Sequence, residues 1–276
     1  MDFGILIRLQ REYEQGIKAL YMAIFQQAQG LSAMDTIKYL SMIGSRPEVK
    51  RLCDNLARRM VTAVKADNEK TWRSAARKGT RSRQIYMSLR KEMQGPLMAA
   101  AQAIVEENSK LISSVPAELA EKISKEALER YMRGERWETA VQDLLARAPY
   151  LSRSRATLIA RTESSKANEA MTEARAREIG STWYFWRSSH DERVRHTHEM
   201  MDGVLCSFDY PPNPEAFFGG KAQFGNYHAG CCPNCRCYAE PVIDEMDLPD
   251  SMRVSVHGGK PVYMRRAQFL DMIRGS

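Results

Sequence analysis

The sequence predicts an α+β protein, with a mostly helical N-terminal region followed by a small α/β module that holds a Cys/His cluster. Three observations predict it. Apolar residues recur at helical spacing, between helix breakers, as far as Gly180. The texture then changes to Ser181-Thr-Trp-Tyr-Phe-Trp-Arg187, an aromatic run rich in strand formers. Finally, five of the six cysteines lie between 206 and 237, and four of the five histidines between 190 and 228. The expected divisions are a helical region over 1–150, a core carrying the cluster over 151–245, and a C-terminal hairpin with a short helix over 246–276.

The elements follow in order. Ile5, Leu6, Leu9, Tyr13, Ile17, Leu20, Tyr21 and Ile24 give a helix over 2–29, ended by Gly30. Ser32 or Asp35 can cap a second helix over 33–43, which Arg46-Pro47 closes. A third runs from about 47 to 78 through Val49, Leu52, Leu56, Met60 and Val64. After a basic loop, Gly79-Thr-Arg-Ser-Arg83, a helix spans about 84–112, kinked or split by Gly95-Pro96. Ser113-Ser-Val-Pro116 reads as a cap with proline in the first turn of a new helix over 116–133, ended by Gly134. Another covers 137–148 and stops at Pro149; the last long one covers 154–179 and stops at Gly180. Strands are expected at 181–187 and 237–243, joined by loops. A hairpin of 253–256 and 260–263 about Gly258-Gly259 precedes a short helix from 265.

Charge is uneven. The chain has 41 Lys and Arg against 34 Asp and Glu, a net charge of +7. The excess gathers on the third helix, where Arg58, Arg59, Arg73 and Arg77 stand among other basic residues and few acids. Such a face attracts phosphate in a salt-dependent, sequence-independent way, although a solvated face with no partner gives the same pattern. Only Trp72 and Tyr86 are aromatic here, so stacking on single strands is not indicated. No apolar run is long enough to span a membrane, and the N-terminus lacks the pattern of a signal peptide. A chain made and kept in a reducing cytosol has little use for disulfides.

Thiolate and imidazole are the ligands zinc prefers, and a closed structural site takes four. Cys232-Pro-Asn-Cys235 is a C-x2-C knuckle, Cys237 adds a third sulfur, and His198 or His228 can complete the shell. The expectation is one structural zinc on four of His198, His228, Cys232, Cys235 and Cys237, with Cys206 as a substitute; free thiols packed beneath the loop are the plainer account. Arg161, Glu163, Asp191 and Arg195 read as an internal charge network, with Arg161 able to fork onto Asp191 or Glu192. An enzyme reading would make Glu163 or Asp191 a base. Phosphate loops, nucleophile elbows and HExxH are all missing from the sequence, so no enzyme is expected. The alternatives are a metal-dependent nuclease or a plain DNA-binding module.

Several of these stretches resemble one family. Ile159-Ala-Arg-Thr-Glu163 followed by Asn168-Glu-Ala, then Asp191-Glu-Arg-Val-Arg195 with His198 and Asp202-Gly203, then Asn234-Cys-Arg-Cys237 before Glu240-Pro-Val, fall in its order over about 150–243. Together they resemble the core of the Mu F-like phage head-morphogenesis family of minor capsid proteins. His228-Ala-Gly-Cys-Cys-Pro stands where that family often has His-Pro-Gly-acidic, and Cys206, Cys231 and Cys232 look like additions. The resemblance implies a virion protein of low copy number. Its partners would be the portal, the major capsid or scaffold proteins, and packaged DNA. It would reside in the host cytoplasm during assembly and inside the head afterwards.

Overall fold

A computed structural model describes residues 3–5, 7–78, 82–91, 96–220 and 224–275. Among the described residues the expected class holds: six helices precede a five-stranded sheet. The helices are α1 (Ile7–Gln27), α2 (Ala33–Ile43), α3 (Pro47–Lys78), α4 (Ser82–Lys91), α5 (Pro96–Met132) and α6 (Trp137–Glu178). Strands β1 (Trp183–Arg187), β2 (Val204–Ser207), β3 (Tyr238–Pro241), β4 (Ser251–Ser255) and β5 (Val262–Arg265) alternate with short helices α7 (His196–Glu199) and α8 (Pro214–Phe218), and α9 (Arg266–Arg274) closes the chain. Of the expected basic loop, residues 79–81 lie outside the described residues, as does the expected break at Gly95, while Ser82 and Arg83 already belong to α4. None of the described helices is long and apolar enough to cross a membrane.

Two compact units divide the chain: Ile7–Thr62 with Gln102–Glu163, and Met1–Leu6 with Ala63–Ala101 and Ser164–Ser276. Helices α3, α5 and α6 contribute residues to both.

In the all-helical unit, the apolar stripe of α1 is buried as its spacing requires: Leu9, Tyr13, Ile17, Leu20, Tyr21 and Ile24. Ser32 caps α2 by accepting a hydrogen bond from the Asp35 amide at 3.1 Å. Gly44, at the end of α2, lies so close to α5 that a Cβ there would sit 1.9 Å from the Ser113 carbonyl oxygen. Ile123, Ala127, Ala140, Val141, Leu144 and Ala148 form a second buried layer between α5 and α6, with Phe25, Ile37 and Trp137 packed against it.

Two expected helix boundaries are corrected here. No new helix begins at Pro116, because α5 runs through it. Proline there has no N–H to give the carbonyl of Ile112 four residues back, a loss that normally kinks or breaks a helix. The hydroxyl of Tyr21 on α1 donates to that carbonyl instead, at 3.1 Å. Likewise α6 runs through Pro149, and the Ser152 hydroxyl donates to the Pro149 carbonyl at 2.8 Å. Local rules place breaks at both prolines; at Pro116 a hydrogen bond from α1 serves the carbonyl that the proline leaves without an amide.

In the mixed unit the strand order is β3-β1-β2-β4-β5, with β2 and β4 parallel and the other neighbours antiparallel. The interior strand β1 is buried on both faces. Tyr184 and Trp186 point into a core with Trp72, Ala76, Ala176, Ile179 and the cysteines. Phe185 points the other way, onto Leu205, Val254, Met252 and Phe269 of α9. Expected as loop, β2 is a strand, and all four of its residues are buried. The Pro-rich loop holds α8, capped by Asn213, whose Oδ1 accepts from the Ala216 amide at 3.1 Å. The C-terminal hairpin is present, but Val256–Gly258 form a 3-10 turn in place of the expected two-glycine turn, and the strands pair Ser251 with Arg265 and Met252 with Met264.

A buried polar layer joins α3 to α6 in this unit. Asn68 Nδ2 donates to Asn168 Oδ1 at 2.8 Å and to Thr172 Oγ1 at 2.7 Å, while its Oδ1 accepts from the Arg175 guanidinium. Asn168 Nδ2 in turn donates to the Phe3 carbonyl at 2.7 Å. Buried polar groups persist only when partnered, so this layer fixes the register of the two helices.

Candidate metal centre

His198 stands on α7, a single turn with Arg195 at its N-cap, followed by the Gly203 turn into β2. The cysteines come from the segment before β3. The Cys235 amide donates to the Cys232 carbonyl at 3.1 Å, and Asn234 takes φ +57, a left-handed conformation that asparagine tolerates. Gly230 has φ +93, and a Cβ there would approach the Cys237 carbonyl to 3.2 Å. These turns bring Cys232, Cys235 and Cys237 beneath His198.

The donor atoms converge. Cys235 Sγ lies 3.4 Å and Cys237 Sγ 3.5 Å from His198 Nδ1, and the three donor atoms all lie within 4.8 Å of one another. Cys232 Sγ is 3.8 Å from Nε2 of the same ring. The Cys237 amide points at Cys235 Sγ at 3.5 Å, and the Arg195 guanidinium reaches Cys232 Sγ at 3.0 Å while its other amino group binds the Pro233 carbonyl. Donors of this kind stabilise sulfur in its charged form. All four side chains are buried, none more than 5% exposed. The imidazole edge packs against Trp186 at 5.5 Å between ring centres.

Titration follows from these contacts. Burial opposes charge on His198, but the sulfurs of Cys232 and Cys235 outweigh it and raise the imidazole to about 9. The hydrogen bond to Cys235, with burial behind it, holds the Cys232 thiol above its ordinary value. On the far side of the ring, His198 Nε2 meets the Tyr227 hydroxyl at 2.9 Å, and that hydroxyl donates to Glu215 Oε2 at 2.6 Å.

The other expected ligands are placed elsewhere in the same unit. His228 Nδ1 is 3.1 Å from the Tyr184 hydroxyl, its ring packed beside Phe208, and burial keeps it below its ordinary value. Cys206 is fully buried in β2, with Sγ 3.7 Å from the Val204 carbonyl, and burial raises its thiol. Sequence reasoning missed Tyr227 and Glu215. Tyr227 directly precedes a histidine and Glu215 sits in a Pro-rich stretch, and no spacing marks either as a neighbour of His198.

Asp191 and Arg195 both brace this segment. Asp191 pairs with Arg236 and, at 3.3 Å, with Arg193. Its carboxyl is held low, first by the Arg193 amide and then by the Arg193 side chain. Arg161 and Glu163 belong to the helical unit, where burial and then the Glu163 charge raise Tyr13, and where Arg161 adds to the Lys18 and Thr157 hydrogen bonds that lower Glu14 against its burial. Arg58, Arg59, Arg73 and Arg77 are all exposed on α3, and Arg73 bonds Glu69 at 2.6 Å.

Residues 121–240 match the model of the phage Mu protein F like protein family. That span contains the end of α5, all of α6, strands β1 and β2, β3 as far as Glu240 and every residue of the Cys/His cluster, and it supports the resemblance seen in the sequence. A curated relative, an uncharacterized protein of Haemophilus influenzae, is 29% identical in an alignment covering 79% of this chain and 48% of the relative. The chain thus spans about half the length of that relative. No solved structure matches it.

Proposed function

We propose that the chain is a minor head protein of a tailed bacteriophage, a structural component that acts in head assembly and DNA packaging near the portal. The observation that carries this reading is the Mu F-like match over 121–240, which takes in the whole cluster and the strands that hold it. Its partners are the portal protein and the major capsid or scaffold proteins, with packaged DNA at the exposed arginines of α3. The site lies inside the virion head, reached from the host cytoplasm during assembly.

A structural role suits the cluster better than hydrolysis does. A metal-dependent nuclease needs an open coordination position where water and a phosphodiester can meet the ion. Here His198, Cys235 and Cys237 are at most 5% exposed, and the Cys232 thiol, 3.8 Å from the same imidazole, is at hand for a fourth position.

The test is a nonsense mutation in the gene within its phage, with the chain supplied in trans as control. The expected result is that heads form poorly or fail to retain DNA, and that the parent chain restores them. Normal yields of filled heads without the chain would overturn the reading.

A further inference from the structure

We infer that His198, Cys232, Cys235 and Cys237 form a structural zinc site in which His198 binds through Nδ1 and is oriented by Tyr227 and Glu215. His228, Cys206 and Cys231 take no part.

The hydrogen bonds fix the tautomer. Tyr227 spends its only proton on Glu215 Oε2, so its oxygen can only accept from His198. Nε2 therefore keeps its proton, and Nδ1 is the nitrogen left to give its own up and bind a metal through the lone pair. That lone pair faces Cys235 and Cys237. Glu215 Oε1, buried and without a hydrogen bond of its own, lies 3.5 Å from Nε2 on the same side. A metal-binding histidine typically gives its other ring nitrogen to a carboxylate, directly or through a partner, which sets the ring plane and raises ligand basicity.

Distances fit the same ion. With Zn–S about 2.3 Å and Zn–N about 2.0–2.1 Å at tetrahedral angles, a sulfur-to-nitrogen edge is about 3.5 Å. The two edges to Nδ1 are 3.4 and 3.5 Å. Cys232 supplies the fourth corner. Its sulfur lies 3.8 Å from Nε2 of the same ring, outside the group formed by the other three donors, and has to swing toward Nδ1 to join them. Three thiolates and one imidazole in a closed, buried tetrahedron select zinc over the harder divalent cations. The amide of Cys237 and the guanidinium of Arg195 offset the negative charge on the sulfurs.

His228 is held by Tyr184 and Cys206 by the β2 backbone, so neither faces Nδ1. The site ties α7 to the start of β3, closing the long connection between β1 and β3 at one point.

Elemental analysis of the full chain, purified without added metal, tests this apart from any role in heads. One zinc per chain is expected, released when a mercurial blocks the thiols, as followed with a zinc-sensitive dye. Cobalt(II) put in its place should show thiolate-to-metal charge transfer and the intense visible bands of a tetrahedral ion. His228→Ala and Cys206→Ser should keep the zinc, and Cys235→Ser and Cys237→Ser should lose it. Glu215→Gln should keep it with affinity about 10- to 100-fold weaker in chelator competition, the range for lost outer-sphere partners. The parent measurements need no variant, so a misfolded cysteine variant leaves the test intact. Protein without stoichiometric metal, iron or copper in place of zinc, or loss of zinc in His228→Ala or Cys206→Ser would overturn the assignment.

Discussion

Pro116 sits inside α5 and the chain tolerates it through one side chain of α1. Tyr21 is 1% exposed and Ile112 0%, so the bond from the Tyr21 hydroxyl to the Ile112 carbonyl is out of reach of bulk water. Tyr21→Phe removes the donor and leaves that carbonyl buried and unpaired. The cost of such an orphan is about 1–3 kcal/mol. Pro116→Ala changes the arithmetic, because residue 116 then has an amide that can reach Ile112. In that background Tyr21→Phe should cost less, near the roughly 0.5–1.5 kcal/mol net value of an ordinary hydrogen bond or below it. The coupling in the double-mutant cycle should therefore be about 1 kcal/mol or more, well above the scatter for sites that do not share a partner. Urea unfolding of the four proteins gives it, provided the slopes agree. Effects of the substitutions on the unfolded chain cancel in the cycle. If Tyr21→Phe costs the same with proline or alanine at 116, the hydroxyl does not replace the missing amide and the account of the unbroken helix is wrong.

Three further outcomes are expected. Glu14 is partly buried, and although burial alone would raise its carboxyl, hydrogen bonds from Lys18 and Thr157 and the nearby Arg161 hold it below the ordinary carboxylate range. Its folded value is depressed, so its contribution is present above the ordinary carboxylate range and is lost as pH falls through that range to the folded value. The parent should thus lose stability faster than Glu14→Gln between neutral pH and about pH 3; parallel curves by thermal unfolding would contradict this. Asn68→Ala takes a donor from Asn168 Oδ1 and Thr172 Oγ1 and an acceptor from the buried Arg175, and should cost at least about 1–3 kcal/mol in urea unfolding, whereas a cost near zero would mean the polar layer is idle. Replacing Arg58, Arg59, Arg73 and Arg77 together by Glu should abolish duplex DNA binding at low salt in a mobility-shift assay, and undiminished binding would leave α3 a solvated face.

What the sequence discloses depends on how local the cause is. The starts of α2 and α3 are local, a Ser32 cap and a Pro47 in the first turn, and both lie where spacing places them. The course of α5 through Pro116 is not local, since Pro116 is carried by a tyrosine 95 positions earlier in the chain. Strand β2 escaped notice because Val204–Ser207 is short and buried throughout, so it lacks the alternation that marks a half-buried strand. Asn68 falls four residues after Val64 and four before Trp72, on the apolar stripe of α3, a polar residue in a core position that could have flagged the buried layer. For the cluster, residue chemistry picked out the right neighbourhood. Which histidine faces the sulfurs depended on Tyr184, Tyr227 and Glu215, whose positions only the fold supplies.

The central claim is that this chain is built into phage heads. The most direct measurement is protease protection of the chain in particles banded from an induced bacterial host that carries the gene. The chain should co-sediment with heads, resist protease while they are intact, and become sensitive once they are opened. A chain found only in the slow-sedimenting fraction, digested at once while the major capsid protein bands in intact heads, would contradict the account.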